Sequence, residues 1–333
     1  NLDVNGGSMS SLDNNTGGDA DFDGTATVDS TITNAAALDI NTGITTASGG
    51  TTNESGGTLT IDSGAELDSN TTNQAGANLV VAGTLDGTLD NQTTGANSAS
   101  ITGDVDGAVT NTGNLDVNGG SLSSLDNNTG GDADFDGTVT VDTTITNAAA
   151  LDINTGTTTT TAGTTTNESG GTLTIDSGAT LASNTTNNSG GNLNNSGTLT
   201  GTLSNAGTLT ITSGSSVSGL VTNTGTAVLG GGALDGGLTN GGTIDGNGGT
   251  TTIAGDYDNV NGITNGVTAS SSPTTVINFN DMGSTFTNSS TINAGGGALT
   301  ILADNIVING GTVTGNVTLT ANNGLAVSGD QGG

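Results

Sequence analysis

An Asn preceded by Thr, Asp or Ser recurs with little variation along most of this chain of 333 residues. It stands at Asn14, Asn34, Asn53, Asn73, Asn91, Asn111, Asn127, Asn147, Asn167, Asn187, Asn205, Asn223 and Asn240, with every gap between 16 and 20 residues. The stretch around it reads roughly N-x-x-G-x-L-x-I-x-x-G-x-x-L-x-G-x-L-T-N. Apolar residues alternate with polar ones in three short beats. Leu38-Asp39-Ile40, Leu59-Thr60-Ile61, Leu115-Asp116-Val117, Leu173-Thr174-Ile175 and Leu209-Thr210-Ile211 are the first beat. Leu67, Leu85, Leu181 and Leu199 mark the second; Ile32, Leu89, Val109 and Leu203 mark the third. Period-two beats separated by Gly, Asn, Ser and Asp are strands joined by turns. No i, i+3, i+4 stripe persists, and Thr, Gly and Asn are poor helix formers. A unit this short cannot bury its few Leu and Ile alone, but stacked on its neighbours it can. The expected fold is all-β: a parallel β-solenoid of about 17 coils, 16–20 residues and three short strands per coil. With each coil rising about 4.8 Å, the rod would be on the order of 80 Å long.

A longer repeat contains the short one. Residues 1–25 recur at 114–138 almost unchanged, and TTNESGGTLTIDSGA at 51–65 returns at 165–179 after one inserted residue. Such near-identity suits the lengthening of a rod better than the shaping of one active site. The expected organisation is a first long repeat at 1–113, a second with its extension at 114–245, an irregular segment at 246–290, and further coils at 291–333. The irregular segment holds the only Tyr and the only Pro, with Phe279 and Phe286. The chain opens in mid-pattern with NLDVNGG, as a segment cut from a longer protein would.

Composition removes most chemistry. There are 31 acidic residues and no Lys, Arg, His or Cys, giving a net charge of −31. Nucleophilic triads need an imidazole base, Schiff bases and phosphate loops need Lys, and His/Cys zinc sites need their ligands. Nucleic acid is repelled, since its binding rests on Lys and Arg. No apolar run approaches a membrane span, and none reads as a leader.

Two candidate sets remain. The Asn set is expected to be structural: Asn tolerates left-handed backbone, bonds its own backbone in turns, and stacks into hydrogen-bonded ladders. Asn14, Asn70 and Asn288 also open glycosylation sequons, which arise by composition in a chain this rich in Asn and Thr. The acidic set centres on DADFDG at 19–24 and again at 132–137. An EF-hand reading fails, because the twelfth position wants Glu and holds Ser30. In solenoid register Ala20 and Phe22 point inward, and Asp19, Asp21 and Asp23 point outward. Asp3, Asp21 and Asp39 then stack on successive coils, and Asp116, Asp134 and Asp152 repeat the column, flanked by Asp132 and Asp136. Like charges about 5 Å apart repel by roughly 1 kcal/mol even in water. Three outcomes stay open: the acids splay into solvent, their pKa values rise, or a hard cation such as Ca²⁺ bridges them. Paired carboxylates for glycoside cleavage are a fourth, weaker reading.

The pattern of GTLTIDSGAEL, AGTLTITSGSSVSGLVTNTG and GNVTLTANNGLAV resembles the passenger regions of bacterial autotransporter and filamentous-haemagglutinin-type adhesins. The resemblance covers nearly the whole chain and implies a right-handed β-helix displayed on, or secreted from, a bacterial cell. It departs from the family in lacking Lys and Arg altogether, and in having no protease or translocator segment. The expected role is non-enzymatic: a cell-surface stalk, or the subunit of an extracellular filament or layer, stabilised by cations. The partners it implies are further copies of the chain, end-to-end or lateral, and a host or neighbouring cell surface or glycan; neither nucleic acid nor membrane insertion is expected. Two alternatives are an ice-binding solenoid using Thr58, Thr60, Thr172, Thr174, Thr208, Thr210 and the Thr157–Thr161 run, and a carbohydrate-binding or depolymerising helix using Asp256, Tyr257, Asp258, Phe279 and Phe286.

Overall fold

The computed structural model describes residues 1–96, 98–154, 156–254, 257–259, 263–265, 274–279, 284–289, 291–309 and 312–328. Every strand pairing among them is parallel and joins one coil to the next, which makes the fold a β-solenoid. Two compact units share the plan, Asn1–Thr165 and Thr166–Gly333. The described strands, at three per turn, make about 15 turns against the 17 coils expected. Strands such as Asp104–Asn111 and Ser121–Asn127 run through a corner and serve two faces, so strands and coils do not count alike.

In the first unit, the first face carries two inward columns. Leu38, Leu59 and Leu79 align in one, and Ile40, Ile61 and Val81 in the other, all fully buried. The coil below pairs Ala20 with Leu38 and Phe22 with Ile40. Small beside large fills the same width as two medium side chains, so the column stays packed without a void. Ala133 and Phe135 repeat the trade between Leu115–Val117 and Leu151–Ile153. DADFDG therefore faces as the alternation requires: Ala20 and Phe22 are buried, while Asp19, Asp21 and Asp23 look outward.

The third corner is built by the Asn residues. In the first unit the amide nitrogen of each donates to the Oδ1 of the next, from Asn14 through Asn34, Asn53, Asn73, Asn91, Asn111 and Asn127 to Asn147, at 2.8–3.0 Å. In the second unit Asn167, Asn187, Asn205, Asn223 and Asn240 do the same at 2.6–2.8 Å. The other amide hydrogen closes the corner onto a backbone carbonyl of the next coil, as from Asn53 to Asn78 at 2.6 Å and from Asn91 to Asn114 at 2.8 Å. Among the described residues positive φ occurs at Gly alone. The left-handed part of the sequence argument is thus corrected: Asn is placed here for its amide, not for its backbone. The Gly four residues on is explained by the same stack. A Cβ at Gly57 would lie 2.5 Å from both the Asn34 carbonyl and the Asn53 Oδ1. Burial also closes the sequon reading at Asn14 and Asn288, whereas Asn70 is exposed with its Oδ1 taking the amide and hydroxyl of Thr88.

Among the described residues the second face of the first unit has two misfits, one the duplicate of the other. Thr45 sits inward between Ala26 and Leu67, and its duplicate Thr158 sits above Val139. Both hydroxyls are buried with no hydrogen-bond partner among the described residues. A buried hydroxyl without a partner costs about 1–3 kcal/mol, and Val has the same shape without it. Thr45→Val is expected to stabilise the protein by about 1 kcal/mol, and the Thr45→Val/Thr158→Val pair to add. Thermal unfolding followed by circular dichroism measures this; an unchanged melting temperature would show that the hydroxyl has found a partner.

In the second unit the corresponding face stacks Leu173, Leu193, Leu209, Ala227 and Ile244. Asn195 interrupts the apolar column between Ile175 and Ile211, and is satisfied by donating to the Ser216 carbonyl at 3.0 Å and accepting from Gly197 N at 3.1 Å. Of the irregular segment, Gly249–Ile253 pairs in register with the strand ending at Phe279. Asp256 and the side chains of Tyr257 and Asp258 lie outside the described residues. Phe279 and Phe286 are buried and stack at 5.5 Å with a 30° interplanar angle. Their rings belong to the core, which corrects the expectation that they line a sugar groove.

Candidate functional site

The outward column of the first face, in the first unit, gathers the acids. Asp3, Asp21 and Asp39 are register partners on three successive coils. Thr60, Val80 and Ser100 follow, and then Asp116, Asp134 and Asp152. Parallel in-register stacking forces this: alternation sends every second residue of the strand outward, and the strand spacing of about 4.8 Å sets the separation. The same column explains why a flat Thr plane is not built on this face. The side chains of Thr157 and Thr159–Thr161 lie outside the described residues, and Thr158 is buried.

At the lower end, Asp19, Asp21 and Asp39 present carboxylate oxygens that all lie within 4.8 Å of one another, each side chain half-buried. Their neighbours are occupied differently. Asp3 accepts from the Asn5 amide at 2.9 Å, and Asp23 from the Asn41 amide at 2.9 Å. Burial, then the charges of Asp19, Asp39, Asp23 and Asp3, push the Asp21 carboxyl above its ordinary value. Both causes act the same way: low dielectric and like charge each disfavour the anion.

The duplicate set is related but looser. Asp134 is also raised, first by burial and then by Asp132, Asp152 and Asp116, but the Asn154 amide at 3.4 Å pulls it back. Asp132 is exposed where Asp19 is half-buried. Among the described residues, the set Asp19, Asp21 and Asp39 is the one whose oxygens converge. Hard cations take oxygen ligands at about 2.3–2.6 Å, so oxygens within 4.8 Å can share one. Asp116, Asp132, Asp136 and Asp152 stay on the same face as Asp134 without that convergence.

Two features of the surface carried no readable signal in the sequence. Asp104 accepts from both the amide and the hydroxyl of Ser121 at 3.0 and 2.7 Å, clasping adjacent coils. In the second unit Asp245 has a buried Oδ1 with no partner among the described residues, and burial raises its pKa. Its outward place in the column, between Val228 and Thr264, gives no hint of this.

No protein-family model and no curated protein matches the chain. Among solved structures it is similar to the crystal structure of a TibC-catalyzed hyper-glycosylated TibA55-350 fragment, with 18% sequence identity and a TM-score of 0.35, over 99% of this chain and 97% of that one.

Proposed function

We propose that the chain is a structural or adhesive β-solenoid of the bacterial cell surface, working as a stalk or as the subunit of an extracellular filament, and that Ca²⁺ or another hard cation bridges its acid column. The observation that carries the reading is how the polar side chains are spent. Asn columns satisfy one another inside, while in-register carboxylates converge outside in a chain without a single Lys, Arg or His. The first arrangement serves length and rigidity. The second repels until a cation enters, and makes divalent ions the available means of joining such surfaces. The passenger-like repeat pattern of the sequence supports the extracellular setting. Of 31 acids, 22 precede Thr166, so the first unit is the cation-responsive part of this scheme.

A sugar-binding or depolymerising role is disfavoured by the buried Phe279–Phe286 stack, and an ice-binding role by the Asp interruptions of the outward column. Electron microscopy of the purified protein with Ca²⁺, and again with EDTA, tests the proposal. Ordered filaments or sheets that dissolve in EDTA are expected. Dispersed particles indifferent to both would overturn the cation-bridged assembly.

A further inference from the structure

The tripeptide Asn-Gly-Gly occurs four times among the described residues, beginning at Asn5, Asn118, Asn240 and Asn247. Identical tripeptides have the same intrinsic reactivity, so any difference between them is set by the fold. Asn240 ends a third-face strand and is locked on every side. Its Oδ1 takes the Asn223 amide at 2.6 Å and Gly242 N at 3.3 Å, its own amide donates to the Gly242 carbonyl at 3.0 Å, and Gly241 N donates to the Asn223 carbonyl at 2.7 Å. At Asn247 the side chain is exposed, but Gly248 N is held by the Thr275 hydroxyl at 2.9 Å. At Asn5 the side-chain amide donates to Asp3 at 2.9 Å.

Asn118 is held by none of these. It is exposed, and its side chain and the amide of Gly119 make no hydrogen bond with any described residue. Only its own backbone N is anchored, on the Ile101 carbonyl at 2.8 Å. Gly119 and Gly120 follow with φ of 134° and 74°, backbone that a side chain would obstruct.

We propose that Asn118 is a site of spontaneous backbone-assisted deamidation. Gly119 N loses its proton to solvent base and attacks the Asn118 Cγ. The N–Cγ bond forms, the Cγ–Nδ2 bond breaks, and the nitrogen leaves as ammonia after taking a proton from water. Water then opens one or the other carbonyl of the five-membered imide, leaving Asp or isoaspartate. No oxidant, cofactor or other protein takes part. The product adds one negative charge beside Asp136, which follows the Phe135 partner of Val117. The isoaspartate form also lengthens the corner by one backbone atom.

The test is incubation of the full chain at mildly alkaline pH, folded and in urea. Cleavage at acidic residues and mass spectrometry then resolve each site and score isoaspartate separately. In the folded protein Asn118 is expected to convert at least about tenfold faster than Asn240, whose hydrogen bonds must first break, with Asn5 and Asn247 between them. In urea the four rates should converge. Equal rates at Asn118 and Asn240 in the folded chain would overturn the proposal, as would the same ranking persisting in urea. In Asn118→Gln, whose longer side chain cannot close the five-membered ring, the fast phase should vanish; a fast phase that survives would place the reaction elsewhere.

Discussion

Replacing Asn91 by Ala is expected to destabilise the protein by roughly 3–5 kcal/mol, from one orphaned buried amide at about 1–3 kcal/mol and two further lost hydrogen bonds at about 1 kcal/mol each. Asn91 is fully buried and its side chain makes three hydrogen bonds. It accepts from Asn73 at 3.0 Å, and it donates to Asn111 at 2.8 Å and to the Asn114 carbonyl at 2.8 Å. Truncation strands the Asn73 amide in a corner closed to water, and takes one donor each from the Asn111 Oδ1, which keeps Gly113 N at 3.3 Å, and from the half-buried Asn114 carbonyl. In a solenoid each coil is supported only by its neighbours, so the loss falls on both interfaces of that coil. The matched control is Asn70→Ala, which removes an exposed clasp to Thr88 and should cost no more than about 1 kcal/mol. Urea unfolding of the two variants gives the comparison directly. A cost at Asn91 no greater than at Asn70 would mean that the column is ornamental and that the Leu and Ile stack alone holds the coils.

That contrast also shows what could be read in the residues. The spacing of the thirteen Asn residues and the Leu-x-Ile beats place the strands, their inward faces and the parallel stacking, because period two and a fixed repeat leave no other way to bury so little apolar surface. The outward column of Asp3, Asp21 and Asp39 follows by counting. What counting cannot reach depends on coordinates. Asp19 joins Asp21 and Asp39 while Asp132 does not join their duplicates, although the two stretches are identical in sequence. At the duplicate the Asn154 amide bonds Asp134, and Asp132 is exposed where Asp19 is half-buried. Phe279 and Phe286 stand as groove residues only in the sugar-binding alternative, since their segment breaks the repeat and its faces cannot be counted. They are buried in register with Ile253 and Ile306, so the rings continue the apolar columns of the coils on either side. Of the three reasons for Asn at the corner, the ladder and the bond to its own turn, as from Ala36 N to Asn34 Oδ1 at 3.3 Å, are both present, and left-handed backbone falls to Gly.

The acid column makes a second large prediction, opposite in sign to ordinary acid denaturation. The carboxyls of Asp21 and Asp134 are raised above their ordinary value in the folded state. A carboxyl with a raised folded pKa binds its proton more tightly when folded. Its contribution is therefore complete below the unfolded pKa of about 3.9 and is lost as pH rises through the folded value. With no Lys, Arg or His to be stranded by the change, the melting temperature should climb as pH falls from 7 towards 4, by roughly a few degrees. Asp21→Asn should reproduce much of that gain at pH 7 and add progressively less as pH falls through the raised folded value of Asp21, where the parent carboxyl takes up its own proton. Ca²⁺ at pH 7 should likewise raise the melting temperature of the parent chain and do less for Asp21→Asn, which has lost the central ligand of the Asp19, Asp21 and Asp39 set. Differential scanning calorimetry across pH, with and without Ca²⁺, separates the two effects. A parent chain that melts lower at pH 4 than at pH 7 would show that the column is relieved by solvent alone. A Ca²⁺ response identical in parent and variant would move the cation to other acids of the first unit.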